Sequence, residues 1–585
     1  MLAAGIALLA VAASWVGIRN GFTYDDVFII QKNPAISSLK DWWRLFGQSY
    51  WPAQWGSDGY RPLTMLAFML ERAADNNQPW VFHAANIALY AVISAMVFFL
   101  ARAVLPLAAA VVAASLFAVH PVHVEAVAGL VGQAELLVAL FVVPAVIIYI
   151  NGRNGDGLTV GRQAAICGLF VLACFSKEHG ITLPVLLLAA ELIVVSDKDS
   201  IAKRFVKLRP FVLALAAIGL GYLAMHQYVS QGTSMGFHPF VAFTTNRVGT
   251  EGRIWTMFGF VPDWIRLFLW PAHLQTEYAP PEYPVVTDFA LYQLPGILIL
   301  VATITLLFVA ARRRSTAVAF GLAFCIIALL PTSNFLVATG LLLAERTLFL
   351  PSVGAMIAVG AAVPWLYRHV KPVPARALLA AGFLVVVVLG AYRSYTRTRV
   401  WLSNDTLFAQ GVLDAPNVYR SHYVLGAWRF NHKQKIEGER LFFRAMELYD
   451  RDPYVYMGLG QEYTNFRMYR PAATQFRKVL AIDSSFVEAR AGLGMALTMI
   501  GDYDEAEVQV RRALREGTRS GAAMYWALDA IKKYKPTGMA PPIAQPPPRT
   551  SPIDTAGSTS GKVPPIVQNA LENELRTPVT NGQMM

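Results

Sequence analysis

The sequence predicts an all-α protein in which a polytopic membrane helical bundle of about 11 spans is followed by a soluble helical repeat domain. Of the 585 residues, 55% are hydrophobic and only 15% are charged, and the mean hydropathy is +0.43, which excludes an ordinary soluble globule. Several apolar segments approach the roughly 20 residues that a helix needs to cross a membrane. After residue 400, a Leu-Gly pair recurs every 34 residues.

The predicted spans follow one another through residues 1–400. We interpret 2–18 as a span rather than a cleaved signal peptide, because no basic region precedes it. We interpret 254–270 as an interfacial or re-entrant helix, because Trp255, Trp264 and Trp270 favour the headgroup zone. The eleven spans are predicted near 2–18, 81–105, 107–119, 134–150, 164–176, 180–195, 210–228, 294–311, 316–333, 347–367 and 376–392.

The basic residues indicate the orientation of the bundle. The net charge is +12, and the basic residues form short clusters between apolar segments, a pattern typical of cytoplasmic loops. This pattern predicts membrane lipids rather than nucleic acid as a partner. With these clusters inside, an odd number of spans places the C-terminal part outside. We therefore expect a multi-pass protein of the bacterial inner membrane, with the loop 19–80 and the repeats on the periplasmic, lumen-equivalent side.

Polar residues gather at the outer ends of the predicted spans, where an ionisable group normally faces a protein interior or a watery cavity. Two adjacent carboxylates, in Tyr24-Asp25-Asp26, directly follow the first span. Such a pair can take a proton from a hydroxyl, bind a cation or hold a sugar. The whole outer set is Asp25, Asp26, Tyr60, Arg61, His120, His123, Glu125, Gln133, Glu135, Lys177, Glu178, His179, Glu345 and Arg346.

Two histidines in this set allow three interpretations. His120 and His123 could hold a divalent metal together with Asp26, hydrogen-bond a phosphate or sugar, or serve a structural role. Pro121 argues against a regular helix through both histidines. Of the three interpretations, hydrogen bonding to a phosphate or sugar is the favoured one. The metal set Asp26, His120 and His123 stays an alternative, so no cofactor is predicted with certainty. The three cysteines all lie inside apolar segments and predict neither a disulfide nor a thiolate metal site.

The region 401–535 carries a repeat. Gly426, Gly460 and Gly494 are spaced at 34 residues, and each follows a leucine. This is the tetratricopeptide period, which predicts about three stacked helix pairs, a capping helix near 521–534 and a concave surface for a peptide or protein. Residues 536–585 are rich in Pro, Ser and Thr and are predicted to be a disordered tail.

The order of these motifs resembles the transmembrane and tetratricopeptide repeat-containing O-mannosyltransferase family, multi-span glycosyltransferases of the C-type fold that use lipid-phosphate-linked sugars. One departure is Gln133, where the family usually has arginine. The motifs are Tyr24-Asp25-Asp26, Tyr60-Arg61-Pro62-Leu63, the run from His120 to Val127, Gly132-Gln133-Ala134-Glu135, Ser176-Lys177-Glu178, Ala344-Glu345-Arg346 and Leu350-Pro351-Ser352.

The resemblance implies an inverting membrane glycosyltransferase. It would move a sugar, with mannose favoured, from a polyprenyl-phosphate donor to Ser or Thr hydroxyls of an extracytoplasmic protein held by the repeats. Asp25 or Asp26 would be the base, with their mutual repulsion raising one pKa. The cations expected to bind the donor phosphate are Arg61, Lys177 and Arg346. The residues expected to bind sugar or acceptor, or to support the site, are Tyr60, His120, His123, Glu125, Gln133, Glu135, Glu178 and Glu345.

Two other protein classes compete with the transferase. A transporter or flippase of lipid-linked glycans should carry its charges near the bilayer midplane and show related halves, and residues 1–400 show neither. A non-catalytic membrane scaffold would account for the repeats but not for the polar set at the outer face. The transferase accounts for both parts of the chain.

Overall fold

The computed structural model describes residues 1–52, 59–230 and 248–542, so the predicted tail lies outside the described residues from 543 onward. The chain is helical as predicted, with no β-strand in these ranges. The first fifteen helices are α1 (Leu2–Ser14), α2 (Pro62–Ala74), α3 (Pro79–Val104), α4 (Leu107–Ala118), α5 (Val124–Ala128), α6 (Gln133–Asn154), α7 (Val160–Ser176), α8 (Leu183–Ile193), α9 (Ile201–Ser230), α10 (Thr250–Leu269), α11 (Leu294–Arg312), α12 (Thr316–Leu329), α13 (Phe349–Gly360), α14 (Ala362–His369) and α15 (Val373–Thr398).

Helices occupy all eleven predicted spans, but they differ in length. Among the described residues, seven helices are long and apolar enough to cross a membrane, or eight if α4 and the segment 121–128, which meet at 45°, form one broken span. The break follows from Pro121, which cannot donate a backbone N–H and disfavours helix at the residue before it. The helices α7 and α12 are apolar but shorter. The predicted all-α membrane fold is confirmed.

The segment expected at the membrane interface is the 20-residue helix α10. Among the described residues, α10 is not one of the helices that are long and apolar enough to cross a membrane. Trp270, just after its end, is 74% exposed, whereas Trp264 is buried and packs in a cluster with Met257 and Phe260. The expectation that Trp264 faces the headgroup zone is therefore wrong, because this ring belongs to the protein core.

The C-terminal helices form pairs at a constant interval. The first helices of three successive pairs begin at residues 419, 453 and 487, and the second helices at 435, 469 and 503, so every step is 34 residues. Glycine permits close packing within a pair, since a Cβ at Gly460 would lie 2.8 Å from the Phe476 ring. These helices are α16 (Asn404–Asp414), α17 (Tyr419–Asn431), α18 (Lys435–Leu448), α19 (Pro453–Asn465), α20 (Tyr469–Ile482), α21 (Val487–Ile500), α22 (Tyr503–Arg515) and α23 (Gly521–Tyr534).

The paired helices contact the membrane bundle through the loop between α10 and α11. The N–H of Tyr419, the first residue of α17, donates to the Pro280 carbonyl at 3.2 Å, and Pro281 forms an isolated β-bridge with Val418. A Cβ at Gly411 in α16 would lie 2.7 Å from the Thr276 hydroxyl oxygen. The start of the repeat region therefore lies directly against this loop.

Candidate active site

A cavity of about 560 Å³ lies between the membrane bundle and α17. This volume falls in the range of small-molecule sites. Part of its wall is apolar and comes from the segment 331–344. The titratable side chains in the lining are Tyr24, Asp25, Tyr50, Arg61, Glu125, Lys177, Glu178, His179, His226, Glu277, Tyr278, Arg346, Tyr419 and Arg420.

The two adjacent aspartates point to different environments. Asp25 lines the cavity, and its Oδ2 lies 3.7 Å from Arg346 Nη2. Asp26 is fully buried outside the cavity lining, and its two carboxylate oxygens accept hydrogen bonds from the N–H groups of Thr23 at 3.1 Å and Val131 at 3.0 Å. Asp26 thereby ties the loop after α1 to the residues before α6, and Asp25 is the carboxylate that a bound substrate would meet.

Burial raises the pKa of both aspartates. The pKa of Asp26 rises to about 7, although the N–H groups of Val131 and Thr23 favour its ionised form. The pKa of Asp25 also lies above its usual range because of burial, with Arg346 opposing the shift. We expected mutual repulsion between the pair to raise one pKa, but the larger cause is desolvation, which disfavours each charge.

Arg346 is held by Glu125 from α5. Its Nη1 lies 3.1 Å from Glu125 Oε1, and its backbone N–H donates to Glu125 Oε2 at 2.9 Å. The neighbouring Glu345 does not line the cavity. It is buried and accepts hydrogen bonds from the Gln275 N–H at 2.6 Å and the Tyr278 hydroxyl at 2.8 Å. Glu345 therefore fixes the loop after α10, and Arg346 presents its charge to the cavity.

Arg61 forms a forked ion pair with Glu178. Its Nε lies 3.0 Å from both carboxylate oxygens, and its Nη2 lies 3.0 Å from Oε2. The guanidinium also lies 4.4 Å from the centre of the Tyr50 ring, within cation–π range. Although burial opposes ionisation, Arg61 lowers the pKa of Glu178 to about 2. The pair is therefore charged throughout the physiological pH range.

Lys177 and His179 meet the buried Glu135. Lys177 is ion-paired with Glu135, and His179 Nε2 lies 3.3 Å from the other carboxylate oxygen. Burial lowers the pKa of His179 to about 4, with Glu135 opposing the shift, so this imidazole is neutral at pH 7. Gly180 allows the turn to pack on the end of α7, because a Cβ there would lie 2.5 Å from the Ala173 carbonyl.

Besides Asp26, Glu135 and Glu345, four more predicted residues lie outside the cavity lining. The Tyr60 hydroxyl donates to the Phe46 carbonyl at 2.8 Å, and Gln133 Nε2 donates to Glu71 Oε1 at 2.6 Å. His120 Nε2 lies 3.0 Å from the Phe268 carbonyl oxygen. The fourth residue, His123, contacts the hydroxyls of Tyr90 at 3.0 Å and Ser352 at 2.8 Å. The structure thus gives both histidines protein partners, which corrects the favoured interpretation that they contact phosphate or sugar.

The alternative metal set is not assembled either. Within the three described ranges, no group of three or more His, Cys, Asp or Glu side chains could hold a metal ion. Of the three proposed ligands, Asp26 accepts hydrogen bonds from backbone N–H groups through both carboxylate oxygens. His120 contacts the Phe268 carbonyl, and His123 contacts the Ser352 hydroxyl. The structure does not bring these side chains together around one point.

Sequence reasoning missed two charged residues of the cavity. Glu277 accepts a hydrogen bond from the Tyr24 hydroxyl at 2.5 Å and another from Arg420 Nε at 2.8 Å. Glu277 lies in a loop between apolar segments, and Arg420 lies in the repeat region, 143 residues further along the chain. Neither carries a local signal, because only the packing of α17 against the loop brings them together.

The chain is similar to curated proteins of animals. It is 25% identical to protein O-mannosyl-transferase TMTC3 of Mus musculus over 80% of this chain and 54% of that protein. It is 26% identical to protein O-mannosyl-transferase TMTC1 of Homo sapiens over 78% of this chain and 56% of that protein. A third relative, protein O-mannosyl-transferase F38B6.6 of Caenorhabditis elegans, is 24% identical over 73% of this chain and 60% of its own length.

The chain therefore spans just over half the length of the first two relatives. No family model matches it, and no solved structure matches it. The similarity to the first of these relatives extends over four fifths of the chain. The resemblance indicated by the motifs is confirmed: this chain is a relative of the transmembrane and tetratricopeptide repeat-containing O-mannosyltransferases.

Proposed function

We propose that this chain is a membrane glycosyltransferase that moves a sugar from a polyprenyl-phosphate donor to a Ser or Thr hydroxyl of a protein. The observation that carries the proposal is the cavity in which the partly buried carboxylate of Asp25 lies 3.7 Å from Arg346, with Arg61 and Lys177 in the same lining. The names of the relatives favour mannose as the sugar and a protein as the acceptor.

The proposed roles follow from the charges in the lining. Arg61, Lys177 and Arg346 bind the donor phosphate and stabilise the negative charge that grows on it as the sugar leaves. The apolar segment 331–344 suits the first isoprene units of the carrier lipid. The donor already carries a good leaving group, so the protein needs chiefly to position it and to neutralise its charge.

Asp25 is the proposed general base. Its carboxylate removes the proton from the acceptor hydroxyl as the hydroxyl oxygen attacks the anomeric carbon from the face opposite the phosphate. The bond from that carbon to the phosphate oxygen breaks, its electron pair stays on the phosphate, and the anomeric configuration inverts. A pKa above the usual aspartate range makes Asp25 a stronger base than an ordinary aspartate.

We assign this chemistry to a transferase domain at 1–400 and the holding of the acceptor to a tetratricopeptide domain at 401–535. The position of α17 at the cavity supports this division, because an acceptor bound along the helix pairs would lie beside Asp25. The basic clusters between the apolar segments support a periplasmic cavity in a bacterial inner membrane. A cysteine placed at the exposed Arg440 should then react with an impermeant reagent from outside, and protection there would reverse this orientation.

The test of the activity uses the purified full-length protein, polyprenyl-phosphate mannose and Ser- or Thr-containing peptides. The Asp25→Asn variant should transfer sugar at least about 100-fold more slowly than wild type, as expected for loss of a general base. Asp41→Asn is the matched control, since Asp41 lies in the same outer loop, outside the cavity lining, and is paired with Arg44 at 3.2 Å. Transfer by Asp25→Asn at the wild-type rate would refute the base, and absence of transfer by wild type would refute the activity.

A further inference from the structure

The charged residues that sequence reasoning missed connect the repeat region to the base. We propose that Arg420 of the first repeat helix, acting through Glu277, fixes Tyr24 and thereby orients the Asp25 carboxylate toward the acceptor. Arg420, Glu277 and Tyr24 are then positioning residues, and the catalytic site is complete only when α17 is docked. This inference rests on the proposed transferase function.

Tyr24 has an unusual backbone conformation. Its φ of 54° lies in the left-handed region, which residues with a side chain rarely adopt. Such conformations persist where the surrounding structure enforces them, and they are frequent at functional sites. Directly after this left-handed residue, the Asp25 side chain lies in the cavity lining and the Asp26 side chain lies in the protein interior.

The contacts that enforce this turn come from far along the chain. The Tyr24 N–H donates to Asn404 Oδ1 at 2.7 Å, and the ring packs edge-on against Phe408 with centroids 5.7 Å apart. The hydroxyl donates to Glu277 Oε1 at 2.5 Å. Because Asn404 and Phe408 belong to α16, the helices that precede and begin the repeats hold the residue next to the base.

Arg420 completes the connection. Its Nε donates to Glu277 Oε2 at 2.8 Å, and the two side chains are only 14% and 8% exposed. A buried carboxylate that loses its cation is strongly destabilised and would move toward water or take up a proton. In either case Glu277 would no longer hold the Tyr24 hydroxyl, and the left-handed turn before Asp25 would lose one of its three supports.

The geometry predicts a specific kinetic result for Arg420→Gln and Tyr24→Phe in the full-length protein. Each should lower kcat by about 10- to 100-fold, because small misplacements of a catalytic group have effects of this size. The KM for the lipid donor should change less than about twofold, because the proposed phosphate-binding cations are untouched. The double variant should be no slower than the slower single variant, since both act through Glu277.

Two further variants separate positioning from general damage. Arg420→Lys keeps the positive charge beside Glu277 and should recover part of the lost kcat. Arg440→Gln removes an exposed arginine from the neighbouring helix α18 and should keep the wild-type kcat. A wild-type kcat for Arg420→Gln, or losses that multiply in the double variant, would overturn the inference.

A chemical readout keeps this inference distinct from the proposed function. Labelling of Asp25 by a water-soluble carbodiimide and an amine, quantified by mass spectrometry, should be at least about threefold faster in Arg420→Gln than in wild type or Arg440→Gln, because the relaxed turn exposes the carboxyl. Equal labelling rates would refute the positioning role even if wild type proves inactive. Faster labelling of Asp25 in Arg420→Gln, together with an inactive wild type, would support the positioning role of Arg420 and would refute only the proposed transferase function.

Discussion

Replacement of Gly180 by alanine tests how tightly the turn that carries Lys177 and Glu178 must pack on α7. A Cβ at this position would lie 2.5 Å from both the carbonyl carbon and the oxygen of Ala173, and 2.8 Å from the Cys174 nitrogen. All three are backbone atoms, so no side-chain rotation can relieve the contact. Ordinary contact begins at 3.4 Å, and the two segments must therefore separate by about 0.9 Å, the difference between 3.4 and 2.5 Å.

This separation should affect stability and transfer together. Overpacking of this kind costs about 1–3 kcal/mol of the free energy of unfolding. A shift of about 1 Å in Lys177, a proposed phosphate-binding residue, should lower the transfer rate by about 100-fold. Thermal unfolding in detergent and steady-state transfer from the lipid donor measure the two effects on the same preparation.

Gly168→Ala is the matched control, because Gly168 lies in the same helix α7 and a Cβ there would meet no described atom within 4 Å beyond its own stretch of helix. Alanine is favoured over glycine in a helix by about 1 kcal/mol, so this variant should melt at or above the wild-type temperature. If Gly180→Ala melts and transfers sugar like Gly168→Ala, the packing argument for the turn is refuted.

Three other outcomes follow from the site. Because burial raises the pKa of Asp25, the transfer rate should begin to fall, as the pH decreases, at a pH above the ordinary aspartate pKa range. A transfer rate that stays unchanged down to roughly pH 4 would contradict this expectation. Glu178→Gln removes the partner of Arg61 and should lower the free energy of unfolding at pH 7 by about 1 kcal/mol, a value kept small because Glu178 is a third exposed. The pKa of Glu178 is lowered from 4.5 to about 2, so the Glu178 carboxylate stabilises the folded protein fully above pH 4.5. In a pH series of melting curves, the difference in stability between Glu178→Gln and wild type should therefore shrink as the pH falls toward 2. Ser352→Ala removes a hydrogen bond of 2.8 Å from the buried His123 and should lower the free energy of unfolding by about 1–3 kcal/mol. An increased KM for the donor at unchanged stability would instead support sugar contact by His123.

The sequence was informative about which end of the bundle carries the site. Asp25, Arg61, Lys177 and Arg346 all border apolar segments, and the structure places all four in one cavity lining. Their position along the chain is a local property that a hydropathy pattern reports. The 34-residue period is equally local, because each helix pair packs on its neighbours, and the period agrees with the helix starts.

The direction of individual side chains could not be predicted in the same way. Asp25 and Asp26 are equivalent in the sequence, yet Asp25 lines the cavity and Asp26 accepts hydrogen bonds from two backbone N–H groups. His120 and His123 occur at the expected end of a span, yet they are buried among helix ends because Pro121 breaks the helix there. These outcomes depend on backbone turns and long-range packing rather than on residue type.

The pairing of charges in the cavity has a consequence for how the site discriminates among anions. Arg61, Lys177, Arg346 and Arg420 each have a carboxylate partner, so the lining attracts a phosphate only weakly from a distance. In the proposed reaction the donor phosphate must replace a carboxylate, so its binding is an ion exchange. In that reaction the released carboxylate would remain in a poorly solvated place and favour its protonated form, which would couple donor binding to proton uptake. Free phosphate has no lipid tail to offset this exchange, so the proposed site would select the complete lipid-linked donor.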